Sequence, residues 1–217
     1  MNRSITAILK NNRHFIVFIF LMVIFRTSIA DWNSVPTGSM KPTIIEGDRI
    51  WVNKIAYDIN LPFSHISLKH LADPKYGDIV IFDSARADKR LVKRVIGLPG
   101  DTVAMSNNTL IINGKALDYK IMDQEKNKLV IQEMNKRSVH RIQLVYPLVN
   151  QYSSFQSLTI PDQYYLVLGD NRNNSADSRF IGLVPRKEII GRAQHVVMSL
   201  NYDNYYLPRL NRFLQTL

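Results

Sequence analysis

The stretch G-D-I-V-I-F-D-S-A-R-A-D-K-R-L-V-K-R-V-I-G, residues 77–97, decides the fold class. It contains two short apolar runs, residues 78–82 and 90–96, and Gly or Asp bounds each of them, which is typical of β-strands. Further strand candidates lie at residues 49–55, 102–105, 109–112, 164–168 and 189–198. The dipeptide Asn113-Gly114 is a type I′ turn signal and predicts a hairpin. The sequence therefore predicts a mainly β protein, with antiparallel β-sheet in a barrel-like or sandwich-like arrangement.

The chain has 217 residues, which is room for one membrane segment and one domain. It contains no cysteine, which excludes disulfides and cysteine-ligated metals. The net charge of +10 suits anionic lipid headgroups or nucleic acid. We predict no nucleic-acid partner, because the chain has no run of five like charges and no nucleic-acid-binding signature. We predict no metal site either, because the H-E-x-x-H pattern is absent.

The N-terminal segment predicts a membrane anchor. Residues 1–30 contain four basic residues and no acidic residue, and residues 15–25 form an unbroken apolar run. We predict a cytoplasmic basic tail over residues 1–14 and one transmembrane helix over residues 15–30, because basic residues keep the preceding end of a span in the cytoplasm. The apolar run is shorter than the ~20 residues that a spanning helix usually needs.

A cleavable signal peptide is the alternative for this segment, since S-I-A at residues 28–30 fits a small-x-small cleavage site. Both interpretations export residues 31–217. Residues 120–160 are richer in Lys, Gln and Asn, and we predict that they form an inserted strand pair or helix. Leucines at helical spacing within residues 202–217 fit either a basic amphipathic helix on the membrane or a terminal segment docked on the core. We prefer the docked segment.

Ser39 is the candidate nucleophile. The segment V-P-T-G-S-M-K-P-T, residues 35–43, places it in a loop whose backbone two prolines restrict. A serine hydroxyl is a poor nucleophile until a base removes its proton. None of the five histidines lies in a protease-like signature, and the G-x-S-x-G pattern is absent. Alone, the segment fits an ordinary turn serine as well as a nucleophile, so the base must be sought elsewhere.

Lys93 is the candidate base, because apolar residues flank it in a predicted strand. The pKa of a free lysine is ~10.4, but burial can lower the pKa by up to about 3–5 units. Side chains alternate along a strand, so Lys93 and Arg94 face opposite sides. Arg94 can then pair with an acid while Lys93 enters a dry site. The alternative for Lys93 is an exposed strand lysine, the usual fate of this residue type.

A polar segment, G-D-N-R-N-N-S-A-D-S-R at residues 169–179, follows an apolar strand directly. Nine of its eleven residues are polar or charged, which predicts either a ligand-binding loop or a closely hydrogen-bonded turn. Asp177 and Arg179 can pair, and Asp170 can hold Arg94. Such pairs would brace a site rather than react.

Taken together, these segments resemble the sequence boxes of the bacterial type I signal peptidases. Residues 35–43 resemble the nucleophile box, residues 77–82 the second β box, residues 93–101 the lysine box and residues 169–179 the last box. The match covers roughly residues 35–57, 74–114 and 164–198, and the family carries variable insertions where residues 120–160 lie. The resemblance implies a signal peptidase fold of β-sheets around a Ser-Lys site. It also implies a membrane-bound serine endopeptidase that removes N-terminal signal peptides from exported preproteins after small-x-small motifs, without a cofactor.

The resemblance implies a role for each site residue. Ser39 attacks the peptide carbonyl, and neutral Lys93 takes the hydroxyl proton and returns it to the leaving amine. The Ser39 N–H and the Thr37 hydroxyl form the oxyanion hole. Ser175 hydrogen-bonds to Lys93 and orients it. Val35 and Val92 line shallow pockets for small substrate side chains. Two ion pairs brace the site, and their residues are Asp177, Arg179, Asp170 and Arg94.

The implied location is the bacterial inner membrane, with a single pass and an extracytoplasmic catalytic domain that contacts preprotein signal peptides and phospholipids. The last box of the family often has Asp where this chain has Asn173, and the sequence leaves the effect open, as it does the oligomeric state. One alternative is a signal peptidase dedicated to a pilin or to a conjugation or secretion substrate. Others are a soluble Ser-Lys self-cleaving repressor and a non-enzymatic exported β binding module.

Overall fold

The structure, a computed structural model, describes residues 11–64 and 66–217. A helix of 16 residues, α1 (Arg13–Ser28), precedes a body built mainly of short β-strands. The strands are β1 (Ala30–Ser34), β2 (Asp48–Asn53), β3 (Asp58–Asn60), β4 (Ser67–His70), β5 (Ile79–Ser84), β6 (Lys89–Gly97), β7 (Thr102–Ser106), β8 (Thr109–Ile112), β9 (Lys115–Ala116), β10 (Asp118–Glu125), β11 (Lys128–Met134), β12 (Val139–Val145), β13 (Phe155–Thr159), β14 (Tyr164–Leu168), β15 (Val184–Pro185), β16 (Ile189–Asn201), β17 (Leu207–Pro208) and β18 (Gln215–Thr216). One helical turn, α2 (Ser178–Ile181), and 3-10 turns at Lys54–Ala56, Arg186–Glu188 and Leu210–Arg212 connect them.

The main sheet has the strand order β1-β2-β16-β5-β6-β14-β15, and β17 and β18 also pair with β16. The neighbouring strands of this sheet pair antiparallel, which confirms the predicted mainly β, antiparallel fold. β5 and β6 are the two runs of the deciding stretch, and they pair with Val80 opposite Lys93 and Ile79 opposite Arg94. The order ends at β1 on one side and at β15 on the other.

Side chains of β5 alternate between two apolar clusters, as the period of a strand requires. Ile79 and Ile81 pack in one cluster with Met40 of the loop between β1 and β2. Val80 and Phe82 belong to the cluster on the other face of the sheet. Fully burying an aliphatic or aromatic side chain contributes about 1.5–3 kcal/mol, so the two clusters hold β5 and β6 firmly in the middle of the sheet.

Residues 120–160 form more strand than the predicted pair. β10, β11 and β12 make a three-stranded antiparallel sheet around its own apolar cluster, which includes Ile131 and Ile142. A four-stranded sheet has the order β13-β7-β8-β9, and β3 and β4 form a separate two-stranded sheet. The predicted Asn113-Gly114 turn joins β8 to β9, and both of its residues have positive φ, as a type I′ turn requires.

The N-terminal helix is offset from its predicted bounds, and the C-terminal segment docks on the core, which is the alternative preferred from the sequence. α1 runs from Arg13 to Ser28, so it starts two residues before the predicted 15–30 span and ends two residues before the end of that span, because Ala30 begins β1. Most of the predicted 1–14 tail lies outside the described residues. Across residues 11–64 and 66–217, no helix combines the length and apolarity needed to cross a membrane. Residues 202–217 form no α-helix; they dock on β16 through β17 and β18, and Arg212 pairs with the buried Asp48 at 2.6 Å.

Candidate active site

The loop between β1 and β2, residues 35–47, carries the candidate nucleophile Ser39, and we call it the nucleophile loop. Its apolar side chains Val35 and Met40 are buried in the core on either side of the serine. The ends of the loop are joined by two backbone hydrogen bonds, from the Val35 N–H to the Asp48 carbonyl (3.0 Å) and from the Gly47 N–H to the Val35 carbonyl (3.2 Å). The backbone that carries Ser39 is therefore held in place by the buried side chains of the loop and by the hydrogen bonds that join the ends of the loop.

Lys93 lies against this serine, with 2.9 Å between Lys93 Nζ and Ser39 Oγ. The lysine is only 2% exposed. Burial lowers its pKa to about 8, because a charged amine loses its hydration there. The negative charge of Asp177 raises the pKa, the positive charge of Lys89 lowers it, and Asp170 raises it again, each by less than burial. A substantial neutral fraction of Lys93 therefore exists at mildly alkaline pH.

Arg94, the next residue, faces the other side of β6. It donates to Asp170 Oδ1 from Nε at 2.8 Å and to Asp170 Oδ2 from Nη2 at 2.7 Å. The Thr43 hydroxyl donates to the same carboxylate at 2.5 Å, and the Gly77 carbonyl accepts from Arg94 Nη1 at 2.9 Å. Burial alone would raise the pKa of Asp170, but the guanidinium outweighs it and lowers the pKa. The pair is thus a buried, fully charged brace.

The last box, residues 169–179, is closed by a second ion pair. Arg179 donates to both carboxylate oxygens of Asp177 at 2.8 Å, and Asp177 accepts from the Gly169 N–H at 2.9 Å. Arg179 Nη2 also donates to the Arg172 carbonyl at 2.6 Å. These bonds curl the box back on its own first residue, beside the nucleophile loop.

A cleft of about 540 Å³ opens at Ser39 and Lys93. Val35, Thr37 and Val92 line it, as does Ser39 itself, so these residues, which the sequence singled out, lie around one cavity. Lys89 also lines the cleft. Among the residues that the structure describes, no aspartate or glutamate lines it.

A family model described as signal peptidase, peptidase S26, matches residues 8–198. The chain belongs to this family. It is 31% identical to a signal peptidase I of Pseudomonas fluorescens, over 94% of this chain and 78% of that protein, and 33% identical to one of Pseudomonas aeruginosa, over 88% and 73%. A crystal structure of a signal peptidase I from Enterococcus faecalis aligns at 35% identity over 56% of this chain and 97% of that chain, with a TM-score of 0.38. As a member of the family, the chain is an enzyme, a serine peptidase of the type I signal peptidase class.

One expected contact of this S26 peptidase is not formed. Ser175 was expected to hydrogen-bond to Lys93, but its hydroxyl is buried without a hydrogen-bond partner in the described part of the chain. The Lys93 amine makes its second contact with the Val92 carbonyl instead, at 2.9 Å. Ser175 packs closely on Gly169, where a Cβ would lie 2.2 Å from its Oγ. The backbone of β6, rather than Ser175, therefore orients the amine in this structure.

The three-stranded sheet supplies support that sequence reasoning missed. Arg172 donates to both carboxylate oxygens of Glu133, on β11, at 2.7 Å, and both residues are 0–1% exposed. Burial alone would raise the pKa of Glu133, but Arg172 and His140 hold it well below its usual range. The sequence gives no pairing signal, because Arg172 and Glu133 are 39 positions apart. The inserted sheet is thus tied to the last box by a buried ion pair.

Asn173, which stands where the resemblance leads us to expect an aspartate, contacts the end of β12 and the turn after it. The two hydrogens of its Nδ2 are shared among the carbonyls of Val145, Pro147 and Leu148, which lie at 2.8, 2.9 and 3.1 Å. An ionised aspartate is an acceptor only and would place its oxygens against these carbonyls. An asparagine suits this position because here the last box must donate to the turn that follows β12.

Proposed function

We propose that this peptidase removes N-terminal signal peptides from exported preproteins, with Ser39 as nucleophile and Lys93 as general base. The observation that carries the proposal is the 2.9 Å separation of Lys93 Nζ and Ser39 Oγ in a site where the lysine is 2% exposed. A buried amine with a lowered pKa can be neutral near the working pH, and only a neutral amine can accept the hydroxyl proton.

The reaction follows from this pair. Lys93 takes the Ser39 proton as Oγ attacks the scissile carbonyl, and the resulting oxyanion accepts hydrogen bonds from the Ser39 N–H and the Thr37 hydroxyl. The C–N bond then breaks, and the protonated Lys93 delivers its proton to the leaving amine. In the second half, Lys93 takes a proton from water, the hydroxide attacks the ester, and the proton returns to Ser39 as the signal peptide leaves.

The shape of the cleft supports small-x-small specificity. Val35 and Val92 both line the cleft at Ser39 and Lys93, and we assign to them the shallow pockets that take short substrate side chains. β14 pairs with β6 only from Arg94 to Gly97, so residues 89–92 have no strand neighbour on that side in the described chain. An extended peptide can pair with such a free edge, which gives affinity through the main chain and selectivity through alternate side chains.

The proposal includes retention of residues 1–30 as a single-pass anchor in the bacterial inner membrane, with the catalytic domain outside the cytoplasm and in contact with phospholipids. The apolar side chains of α1 support it: most of those in residues 15–25 are exposed on the isolated chain. Large exposed apolar surfaces of this kind are covered by lipid or by another protein.

The test uses the full chain in detergent with a preprotein whose leader ends in A-x-A. Ser39→Ala and Lys93→Met should each lower kcat by more than about 10³-fold, because either change removes one half of a nucleophile–base pair. Lys115→Met is the matched control, since it replaces an exposed lysine on β9. Substantial cleavage by either site variant would refute the proposed dyad.

A further inference from the structure

Asn171 joins the last box to the nucleophile loop. Its backbone N–H donates to the Ser39 carbonyl at 3.0 Å, and its side-chain Nδ2 donates to the Gly38 carbonyl, also at 3.0 Å. Asn171 is 2% exposed, so water does not compete for these bonds. Two successive carbonyls of the loop are thus held by one residue that is 133 positions away from Gly38.

The hydrogen bond to the Gly38 carbonyl is the contact that affects the direction of the Ser39 N–H. It accepts a second hydrogen bond, from the Lys41 N–H at 3.1 Å, so its direction is fixed from two sides. The Gly38–Ser39 peptide bond is trans, since the cis bonds of the described residues are at Lys41–Pro42 and Tyr146–Pro147. In a trans peptide the C=O and the N–H point in opposite directions within one plane. A fixed Gly38 carbonyl therefore fixes the direction of the Ser39 N–H.

The Ser39 N–H is available for a ligand. In residues 11–64 and 66–217 it donates to no protein acceptor, although the carbonyls of Gly38, Ser39 and Met40 all accept hydrogen bonds. It belongs to a half-buried residue that lines the cleft. A donor that is preoriented and unpaired stabilises developing negative charge without a reorganisation cost at the moment of reaction.

We propose that Asn171 is a positioning residue that preforms the oxyanion hole by holding the Gly38–Ser39 peptide plane. The inference rests on the proposed function, in which the Ser39 N–H binds the oxyanion. Asn171 touches neither the substrate nor the reacting atoms, and it acts only through the direction of one peptide group.

The surroundings of Asn171 suit this task. β12 holds the box from behind, because the Gln143 N–H donates to the Asp170 carbonyl at 2.8 Å and the Arg172 N–H donates to the Gln143 carbonyl at 2.9 Å. Gly169 allows the close approach of the box, since a Cβ there would lie 2.5 Å from the Ser39 carbonyl oxygen. Because the inserted sheet fixes Asn171, Asn171 can in turn fix the loop.

An aspartate at position 171 should disrupt the hole while keeping the shape of the side chain. An ionised carboxylate cannot donate to the Gly38 carbonyl, and two acceptors in contact repel, which favours rotation of the peptide plane. Outright loss of one oxyanion-hole donor costs about 10²–10³-fold in kcat. Here the donor is misdirected rather than removed, so we expect Asn171→Asp to lower kcat about 10–100-fold with KM changed less than about threefold.

The decisive comparison uses two inhibitors with the same peptide sequence ending in alanine, one a peptide aldehyde and the other the corresponding alcohol. The aldehyde forms a hemiacetal with Ser39 whose oxyanion occupies the hole, whereas the alcohol only fills the cleft. In the full-length enzyme, Asn171→Asp should weaken the aldehyde by the same factor as kcat and leave the alcohol unchanged. Asn171→Ala removes the donor without adding a charge, and it is the second variant if the first does not fold.

Asn173→Asp is the control for a loosened loop, because Asn173 lies in the same box but holds the turn after β12 instead of the nucleophile loop. It should lower Tm without changing the ratio of aldehyde to alcohol affinity. The inference is overturned if both Asn171 variants keep the wild-type ratio, or if Asn173→Asp changes the ratio equally. A wild-type enzyme that binds the aldehyde no tighter than the alcohol would instead refute the proposed nucleophile itself, and with it the inference.

Discussion

Lys93 and Arg94 are neighbours on opposite faces of β6, and only Arg94 has a carboxylate as its partner in the described chain. Val80, opposite Lys93, belongs to one apolar cluster, and Ile79, opposite Arg94, belongs to the cluster on the other side of the sheet. On one face the Lys93 amine meets a hydroxyl and a carbonyl but no carboxylate within ion-pair distance in the described chain. On the other face Arg94 meets the carboxylate of Asp170 in a two-point contact.

The difference teaches how one strand serves both chemistry and stability. A buried cation without a counter-ion releases its proton readily, which a base requires. A buried cation with a counter-ion keeps its charge and becomes part of the framework. Because alternate side chains of a strand face opposite ways, two adjacent positions can hold both kinds of site with little mutual interference.

The largest effect on stability should come from removing one member of the ion pair between Arg94 and Asp170. Arg94→Met leaves the Asp170 carboxylate buried without its partner, and loss of one member of a buried pair costs about 3–5 kcal/mol of the free energy of unfolding. Chemical denaturation followed by the fluorescence of the two tryptophans measures it. Lys93→Met is the matched variant and should cost far less, because no carboxylate loses a partner.

A double variant sharpens this test. Arg94→Met combined with Asp170→Leu removes both charges, and replacing a buried pair by apolar groups is often close to neutral, so it should recover most of the loss. Equal destabilisation by Arg94→Met and Lys93→Met would show that the two faces do not differ as described.

A smaller effect should follow from changing the charge near the unpaired face. Lys89 lies in the same cleft, and its positive charge lowers the pKa of Lys93. Lys89→Glu should raise the pKa of Lys93, because a nearby negative charge favours the protonated amine. The rise of kcat/KM with pH then moves to higher pH, with roughly a two- to fivefold loss at pH 7.5.

The control for that change is Lys69→Glu, which makes the same charge change on the exposed strand β4. Added salt should shrink the effect of Lys89→Glu, because exposed charges are screened within about 10 Å at 0.1 M. A loss that is the same at all pH values, or that Lys69→Glu reproduces, would argue against an electrostatic origin.

Local patterns in the sequence predicted the parts of the fold that depend on local rules. The apolar runs bounded by Gly and Asp predicted β5 and β6, and the Asn-Gly dipeptide predicted the hairpin from β8 to β9. The alternation of side chains along β6 also predicted that Lys93 and Arg94 would lie on opposite faces. These features need only neighbours within one strand or one turn.

Contacts between distant segments were harder to predict. The pairing of Arg172 with Glu133 depends on how the three-stranded sheet docks, and no periodicity in the sequence encodes that docking. The expected bond from Ser175 to Lys93 is absent for a different, local reason, since the Lys93 amine contacts the carbonyl of its own neighbour Val92 instead. The sequence did not predict a role for Asn171, because an asparagine in a polar loop can serve many structural purposes.

The protonation of Lys93 is the most direct test of the central claim. The full-length enzyme, labelled with ¹⁵N at the lysine side chains, is titrated by NMR in detergent, and the Lys93 Nζ signal is assigned by its loss in Lys93→Met. Burial predicts a midpoint at about pH 8, with kcat/KM for leader cleavage rising through the same midpoint as the neutral amine forms. A midpoint near the ~10.4 of a free lysine, or cleavage that does not change with pH across this range, would contradict a base kept neutral by burial.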